Sequence, residues 1–156
     1  MKKIIIVIIL LIVTIISYIF IFKKDIKVIN NNPTKGEEMK EIYLYVNNNI
    51  LEVELENNDA TIELLNILNN KDITILANEY GGFEKVGSLG FELPTNDKNI
   101  KTQSGDIVLY NKNQISVFYE SNSWSYTKLG KIKNKTKNEL KDILGSGNIE
   151  LRLSIK

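Results

Sequence analysis

Residues 41–57 read EIYLYVNNNILEVELEN, and this stretch decides the fold class. Apolar residues occupy every second position on both sides of the three asparagines at 47–49. Alternation with a period of two predicts strands that bury one face and expose the other. Asparagine tolerates the left-handed backbone of tight turns, so the stretch predicts a β-hairpin. We interpret Glu52, Glu54 and Glu56 as its solvated face rather than as a metal or acid–base site.

Two short helices are predicted beyond this hairpin. Asp59 is suited to cap a helix that runs to about residue 69. Thr136 and Glu139 have the spacing of a capping box, and Gly145 is suited to end that second helix. The residues expected to face the core are Ile62, Leu65 and Leu68 in the first helix and Leu140, Ile143 and Leu144 in the second.

The remaining apolar segments predict further short strands. They cover residues 73–76, 107–110, 114–120, 126–132 and 148–155, with a glycine-rich loop at 79–90 and a turn at 93–97. Six or seven strands joined as hairpins hide their edges most readily by closing into a barrel. We therefore expect a mainly β domain, a closed or nearly closed β-barrel with two short helices.

The amino-terminal region predicts a membrane anchor. Residues 4–22 read IIIVIILLIVTIISYIFIF, which is 19 residues without a charge. As a helix this run spans about 28 Å, close to the thickness of the hydrocarbon layer. A cleaved signal peptide is the competing interpretation, but such peptides have shorter apolar regions and a small-residue cleavage site. A buried core helix is rarely apolar on every face.

The domain organisation follows from this anchor. We expect a transmembrane anchor at residues 1–24, a linker at 25–40 and the barrel domain at 41–156. Lysines flank the apolar run on both sides, so the charge rule for orientation is nearly balanced. The very short amino-terminal segment favours a cytoplasmic amino terminus. We therefore predict a single-pass protein of the cell membrane with an extracytoplasmic domain.

Composition excludes several kinds of chemistry. The chain has no cysteine and no histidine, and Arg152 is its single arginine. Disulfides, thiol or histidine catalysis and Cys/His zinc sites are therefore excluded, and we expect no cofactor and no metal site. From Glu37 onward acidic residues outnumber basic ones by four, so nucleic acid is not an expected partner.

The glycine-rich loop is the first candidate site. It lacks the Gly-Lys-Ser/Thr ending of a phosphate-binding loop. Its glycines are explained by backbone freedom alone, but charged and aromatic residues on such a loop are also suited to line a small binding site. The candidate ligand-binding residues here are Glu79, Tyr80, Phe83, Glu84 and Lys85.

Residues 119–127 are the second candidate site. They read YESNSWSYT and contain the single tryptophan of the chain. Aromatic faces beside adaptable hydrogen-bonding groups favour binding of a peptide or sugar-like ligand. The candidate residues are Tyr119, Asn122, Trp124 and Tyr126. The alternative is that Trp124 and Tyr126 only plug one end of the barrel.

Four segments resemble a known family. They are residues 79–87 (EYGGFEKVG), 93–97 (LPTND), 105–110 (GDIVLY) and 123–130 (SWSYTKLG). In this order they resemble the small bacterial cyclophilin-like fold proteins, over about residues 41–155. The resemblance implies a closed barrel of about eight strands with a helix at each end. The high Ile, Asn and Lys content is also typical of AT-rich bacterial genomes.

The resemblance does not imply isomerase activity. True cyclophilins use an arginine to polarise the twisting prolyl amide, and Arg152 does not match that pattern. The family has no assigned biochemical function, so it implies no catalytic residues. We expect a non-enzymatic module that binds a peptide or small ligand. A peptidyl-prolyl isomerase and an assembly subunit of a cell-envelope complex are the alternatives, and the sequence does not indicate an oligomeric state.

Overall fold

The computed structural model of the protein describes residues 41–145 and 147–155. The predicted anchor at residues 1–24 and the predicted linker at 25–40 lie outside the described residues. Within the described ranges, no helix combines the length and the apolar character needed to cross a bilayer.

Nine strands and two helices make up the described part of the chain. The strands are β1 (Glu41–Val46), β2 (Asn49–Leu55), β3 (Ile73–Tyr80), β4 (Glu84–Ser88), β5 (Lys98–Lys101), β6 (Asp106–Tyr110), β7 (Gln114–Phe118), β8 (Ser123–Ile132) and β9 (Ile149–Ser154). The helices are α1 (Asp59–Leu68) and α2 (Lys137–Leu144).

Eight of these strands close into a ring. The hydrogen-bonded order is β2-β1-β9-β3-β4-β7-β6-β8, and the end of β8 pairs with β2. All pairings in the ring are antiparallel. β5 is a ninth strand, and it pairs with residues 123–126 at the start of β8. The closed eight-stranded barrel with two helices confirms the predicted fold class.

The first hairpin forms as its sequence pattern predicts. Asn47, in the turn, has φ +52°, the left-handed conformation that favours asparagine there. The glutamates of β2 are exposed, which confirms a solvated strand face. The alternating apolar residues that fill the barrel from this hairpin are Ile42, Leu44, Val46, Leu51, Val53 and Leu55.

Ring closure depends on a close approach between β8 and β2. Gly130 pairs with Leu55 at this seam. A β-carbon at position 130 would lie 2.4 Å from the backbone oxygen of Glu54, well inside van der Waals contact. Only glycine fits this spacing without a shift of one strand, so Gly130 allows the last pairing of the ring to form.

The first helix differs from its prediction in cap and in buried face. Asn58, not Asp59, is the N-cap, and its side chain accepts a hydrogen bond from the Thr61 backbone nitrogen. The Asn58 amide also donates to the Lys128 carbonyl at 2.8 Å, which ties the helix start to β8. This attachment leaves Ile62 52% exposed, contrary to expectation. The buried residues of the helix are Ala60, Thr61, Leu64 and Leu68, and Leu65 is half-buried.

The second helix confirms its predicted ends. Thr136 and Glu139 form the reciprocal capping box, and Gly145 at the carboxyl end has φ +61°. Leu140 and Leu144 are buried, whereas Ile143 is half-buried against the core.

The strand count of six or seven was too low. The predicted loop at 79–90 is mostly a hairpin, because β3 continues to Tyr80 and β4 begins at Glu84. The Lys98–Lys101 strand was missed because the sequence KNIK has a single apolar residue. Three of its four residues are exposed, and the strand forms by pairing with β8. The pattern of residues along the chain therefore misses strands that form only by pairing with a neighbouring strand.

The strands β6 and β7 are buried on both faces. Ile107, Leu109 and Val117 belong to the main core inside the barrel. Val108 and Phe118 lie between such positions, so their side chains face the outside of the ring. There they form a second apolar cluster with Tyr126, and Phe83 and Ile100 pack against it. This outer cluster supports the surface on which the candidate site lies.

Candidate functional site

A cleft of about 600 Å³ lies on the outer cluster. We call it the outer cleft. Its lining residues are Tyr80, Gly81, Phe83, Glu84, Val86, Tyr110, Gln114, Ser116, Asn122, Trp124 and Tyr126. This volume lies within the range of small-ligand sites, which is about 300–1,000 Å³.

The turn between β3 and β4 builds one wall of the outer cleft. Gly81 and Gly82 have φ +61° and +73°, which places both in the left-handed region that favours glycine. A β-carbon on Gly81 would lie 2.1 Å from the Phe83 ring, so glycine also allows this ring to fold back over the turn. The glycines of the segment thus place Tyr80 and Phe83 together.

Aromatic contacts continue from this wall into the outer cluster. Tyr80 meets Phe83 edge-on at 5.7 Å between centroids, and Phe83 stacks on Phe118 at 6.2 Å. Tyr126 meets Phe118 edge-on at 5.7 Å and Tyr110 at 6.1 Å. These contacts hold the rings of the outer cleft against the outer cluster.

The exposed aromatic residues lie at the rim. Trp124 is 59% exposed and Tyr80 is 60% exposed, whereas Tyr126 is buried. The Asn122 side-chain nitrogen donates to the Tyr126 hydroxyl at 3.0 Å. Trp124 and Tyr126 therefore do not plug the barrel, because their surroundings are the outer cluster and the cleft rather than the barrel core.

Glu84 is the one carboxylic acid among the residues that line the outer cleft. Its side chain is buried, and its Oε2 atom has no hydrogen-bond partner in the described structure. Burial raises the pKa of the Glu84 carboxyl, and a hydrogen bond with the Ser116 hydroxyl only partly opposes this rise. Within residues 41–145 and 147–155, the group is thus an acid without a paired cation.

Three predicted site residues lie outside the outer cleft, on the barrel side of the sheet. They are Glu79 on β3, Lys85 on β4 and Tyr119, which directly follows β7. Lys85 is fully buried, and its Nζ atom lies 2.5 Å from Glu79 Oε2. It also donates to the Gly147 carbonyl at 2.6 Å. The Tyr119 hydroxyl donates to Glu79 Oε1. We call Glu79, Lys85 and Tyr119 the inner cluster.

The charges of the inner cluster satisfy one another. Burial by itself raises the pKa of Glu79, but hydrogen bonds from Lys85 and Tyr119 outweigh it and leave that pKa below its usual value. Burial and the adjacent Glu79 raise the pKa of the Tyr119 hydroxyl above its usual value. Glu79 is therefore ionised and Tyr119 neutral over the ordinary pH range, which indicates a structural ion pair.

The structure thus separates the predicted site residues into two groups. Tyr80, Phe83, Glu84, Asn122, Trp124 and Tyr126 line the outer cleft, and Glu79, Lys85 and Tyr119 form the inner cluster. Glu79 lines a different cavity from Glu84, so the two acids do not face each other across one cleft as in glycoside hydrolases.

Five residues of the outer cleft were not identified from the sequence. They are Gly81, Val86, Tyr110, Gln114 and Ser116. Gly81 was part of the glycine-rich segment but was given only a backbone role. The others join the site because β4 pairs with β7 and β7 with β6, and alternation along β7 was the only sequence signal that relates Gln114 and Ser116.

The single arginine lies at another part of the barrel. Arg152 on β9 pairs with Asp72 at 2.5 Å and stacks over the Tyr45 ring at 3.8 Å. It does not line the outer cleft. Among the described residues, no group of three or more acidic residues is placed to hold a metal ion.

The inner cluster yields a prediction about stability. Glu79→Ala removes the only carboxylate paired with the buried Lys85 ammonium among the described residues. Leaving a buried charge uncompensated costs about 3–5 kcal/mol, so the free energy of unfolding is expected to fall by about this amount. Urea unfolding of the full-length protein in detergent micelles, followed by circular dichroism, measures the change.

Two further variants make this test specific. Glu79→Ala combined with Lys85→Met is expected to recover most of the loss, since an apolar chain then replaces the buried charge. Glu92→Ala, at an exposed acid, is expected to stay within about 0.5 kcal/mol. A double variant no more stable than Glu79→Ala would contradict the assignment of the inner cluster as an ion pair.

Comparison with known proteins supports the architecture. The model of the Cyclophilin-like family matches residues 44–154. No significant match is found among curated proteins. The fold is similar to the solution structure of a hypothetical protein from Archaeoglobus fulgidus, with a TM-score of 0.55 and 18% identity. That similarity covers 78% of this chain and 99% of the archaeal chain, and at this identity it shows the fold alone. Since the family model spans nearly the whole barrel, the chain belongs to the cyclophilin-like family.

Proposed function

We propose that the protein is a non-enzymatic binding module that recognises a peptide segment or a small ligand in the outer cleft. The observation that carries this proposal is the meeting of two sequence-distant segments, around Tyr80 and around Trp124, at the rim of one cleft of about 600 Å³. Exposed rings at a rim supply contact area at a low cost in side-chain entropy.

The chemistry of the cleft favours binding over catalysis. Its polar side-chain groups are one acid, one hydroxyl, two amides, three phenols and one indole N–H, and the residues that line it include no lysine or arginine. The arginine that a cyclophilin needs beside the prolyl amide has no counterpart among the lining residues. The single arginine, Arg152, lies elsewhere and pairs with Asp72. Nucleophile–base pairs of the kinds used in acyl transfer are not among the lining residues.

We further propose that residues 4–22 hold the module in the cell membrane as a single-pass anchor, with the domain outside the cytoplasm. The uncharged 19-residue run supports the anchor, and the short amino-terminal segment supports the orientation. An extracytoplasmic binding domain would meet its ligand at the cell surface.

Ligand binding is expected to change the fluorescence of Trp124, the single tryptophan of the chain. Screening the full-length protein in micelles against a pool of short peptides and small organic molecules should give ligands that shift this emission. Tyr80→Ala should weaken their binding at least tenfold, because it removes an exposed aromatic ring from one wall of the cleft. Tyr43→Ala, on β1 and away from the cleft, is the matched control and should leave binding unchanged.

This binding test has clear negative outcomes. A pool without any binder would contradict the proposal. The same conclusion follows if ligands bind without any response of Trp124 and bind Tyr80→Ala and the unmodified protein equally well.

Prolyl isomerisation is expected to proceed at its uncatalysed rate in the presence of the protein. That rate corresponds to tens to hundreds of seconds in model peptides. A proline-peptide assay with full-length protein measures it, and a true cyclophilin serves as the positive control. Acceleration that increases with protein concentration would favour the isomerase alternative over a non-enzymatic module.

The anchor and its orientation are tested in cells. The protein should remain in the membrane fraction after a high-salt wash, and protease added to intact cells should digest the domain. Replacement of Ile9 and Leu11 by lysine should release the protein from the membrane, since charge at the centre of an apolar helix opposes insertion. A mature chain that begins after residue 22 would contradict the anchor, and a protected domain would contradict the orientation.

A further inference from the structure

Glu84 is the one acidic side chain among the residues that line the outer cleft, and its hydrogen bonding is incomplete. Its side chain is 6% exposed, yet Oε2 has no hydrogen-bond partner in the described part of the chain. Most buried polar atoms in proteins have such a partner, because an unpaired one loses its hydration without compensation. A carboxylate oxygen of this kind at a cleft wall is suited to a cation or a hydrogen-bond donor that arrives with the ligand.

Among the described residues, no cation is paired with this acid. The residues that line the outer cleft include neither lysine nor arginine. Lys85 follows Glu84 directly in sequence, but in a pleated strand adjacent side chains point to opposite faces. Lys85 is thereby turned into the inner cluster, where Glu79 and the Gly147 carbonyl already bind its ammonium group.

The walls around Glu84 also attract positive charge. Tyr80, Tyr110, Trp124 and Tyr126 line the same cleft. The face of an aromatic ring carries negative electrostatic potential and attracts ammonium groups within about 6 Å of its centre. The chain from Glu37 onward has four more acidic than basic residues, so its net charge is negative and its long-range field also attracts cations.

We propose that the outer cleft binds its ligand through an ammonium group, protonated or methylated, which the aromatic rim encloses and Glu84 neutralises. The inference rests on the proposed function and adds the charge of the ligand to it. An ammonium group occurs on free amines and on lysine side chains of peptides, and both present the same chemistry to Glu84.

The proposal implies a direction for the pH dependence. Only the ionised carboxylate attracts a cation, and burial raises the pKa of Glu84. Affinity for a cation should therefore fall as the pH is lowered through this raised pKa. The other titratable side chains that line the cleft are Tyr80, Tyr110 and Tyr126, and burial raises the pKa of the Tyr126 hydroxyl further above that of a carboxyl. Gln114 and Ser116 of β7 carry no charge. Glu79 and Lys85 remain paired on the other face.

Choline and its uncharged carbon analogue 3,3-dimethyl-1-butanol test the charge at constant shape. Isothermal titration of the full-length protein at constant ionic strength should show at least tenfold tighter binding of choline. Glu84→Gln should reduce choline affinity at least tenfold and change binding of the uncharged analogue less than twofold. Glu92→Gln, at an exposed acid outside the cleft, should change neither.

A second variant addresses folding and a second pair of probes addresses the source of the ammonium group. Trp124→Leu alters an exposed side chain and should weaken choline binding while leaving the circular dichroism spectrum unchanged. The peptide Ac-Gly-Lys-Gly-NH₂ presents a lysine ammonium group, and its Nε-acetylated form lacks that charge and should bind at least tenfold more weakly. Tighter binding of the unmodified peptide than of choline would assign the site to lysine side chains, and the reverse would assign it to free amines.

The negative outcomes distinguish the inference from the proposed function. Equal binding of choline and its uncharged analogue would overturn the ammonium site, as would Glu84→Gln with unchanged choline affinity. If the ammonium probes do not bind but neutral ligands bind in a Tyr80-dependent way, the inference fails and the binding module remains. If no probe and no member of the pool binds, both fail.

Discussion

Closure of the ring between β8 and β2 is the constraint on which the rest of the structure depends. Gly130 allows the strands to approach at the seam, and the pairing that follows satisfies the backbone groups of both strands. A closed ring leaves every strand with an inner and an outer face. The inner faces form the main core, and the outer faces of β6 and β7 require a second apolar cover, which β8, β5 and the β3–β4 turn provide.

This outer cluster explains how neighbouring residues of β4 lie in two different electrostatic environments. Glu84 and Lys85 are neighbours in sequence, and the pleat directs one outward and the other inward. Lys85 is matched by Glu79, which itself accepts a hydrogen bond from Tyr119, so the inner charges are satisfied within the protein. Glu84 is buried without such a match. The contrast is that the inner charges are paired with each other, whereas Oε2 of Glu84 has no hydrogen-bond partner in the described part of the chain.

Family membership does not by itself assign a function to this protein. The barrel is that of the cyclophilin-like family, but the single arginine stacks on Tyr45 and pairs with Asp72 away from the outer cleft. A fold supplies a scaffold, and the chemistry of a site depends on the few side chains placed on it. The side chains that line the outer cleft are mainly aromatic rings, with one acid, one serine and two amides.

The sequence by itself determined the elements whose signals are local. Period-two alternation, an asparagine turn and the Thr136 capping box identified the first hairpin, the closed barrel and the second helix. The tertiary structure decided what depends on neighbours. The first helix is apolar at Ile62, Leu64, Leu65 and Leu68, so its pattern fits two orientations, and the bond from Asn58 to β8 selects one. The candidate ligand-binding residues were predicted as one set of aromatic, charged and amide side chains. Their division between the outer cleft and the inner cluster was decided only by strand pairing and pleat, because proximity across a barrel is not encoded in the spacing of residues along the chain.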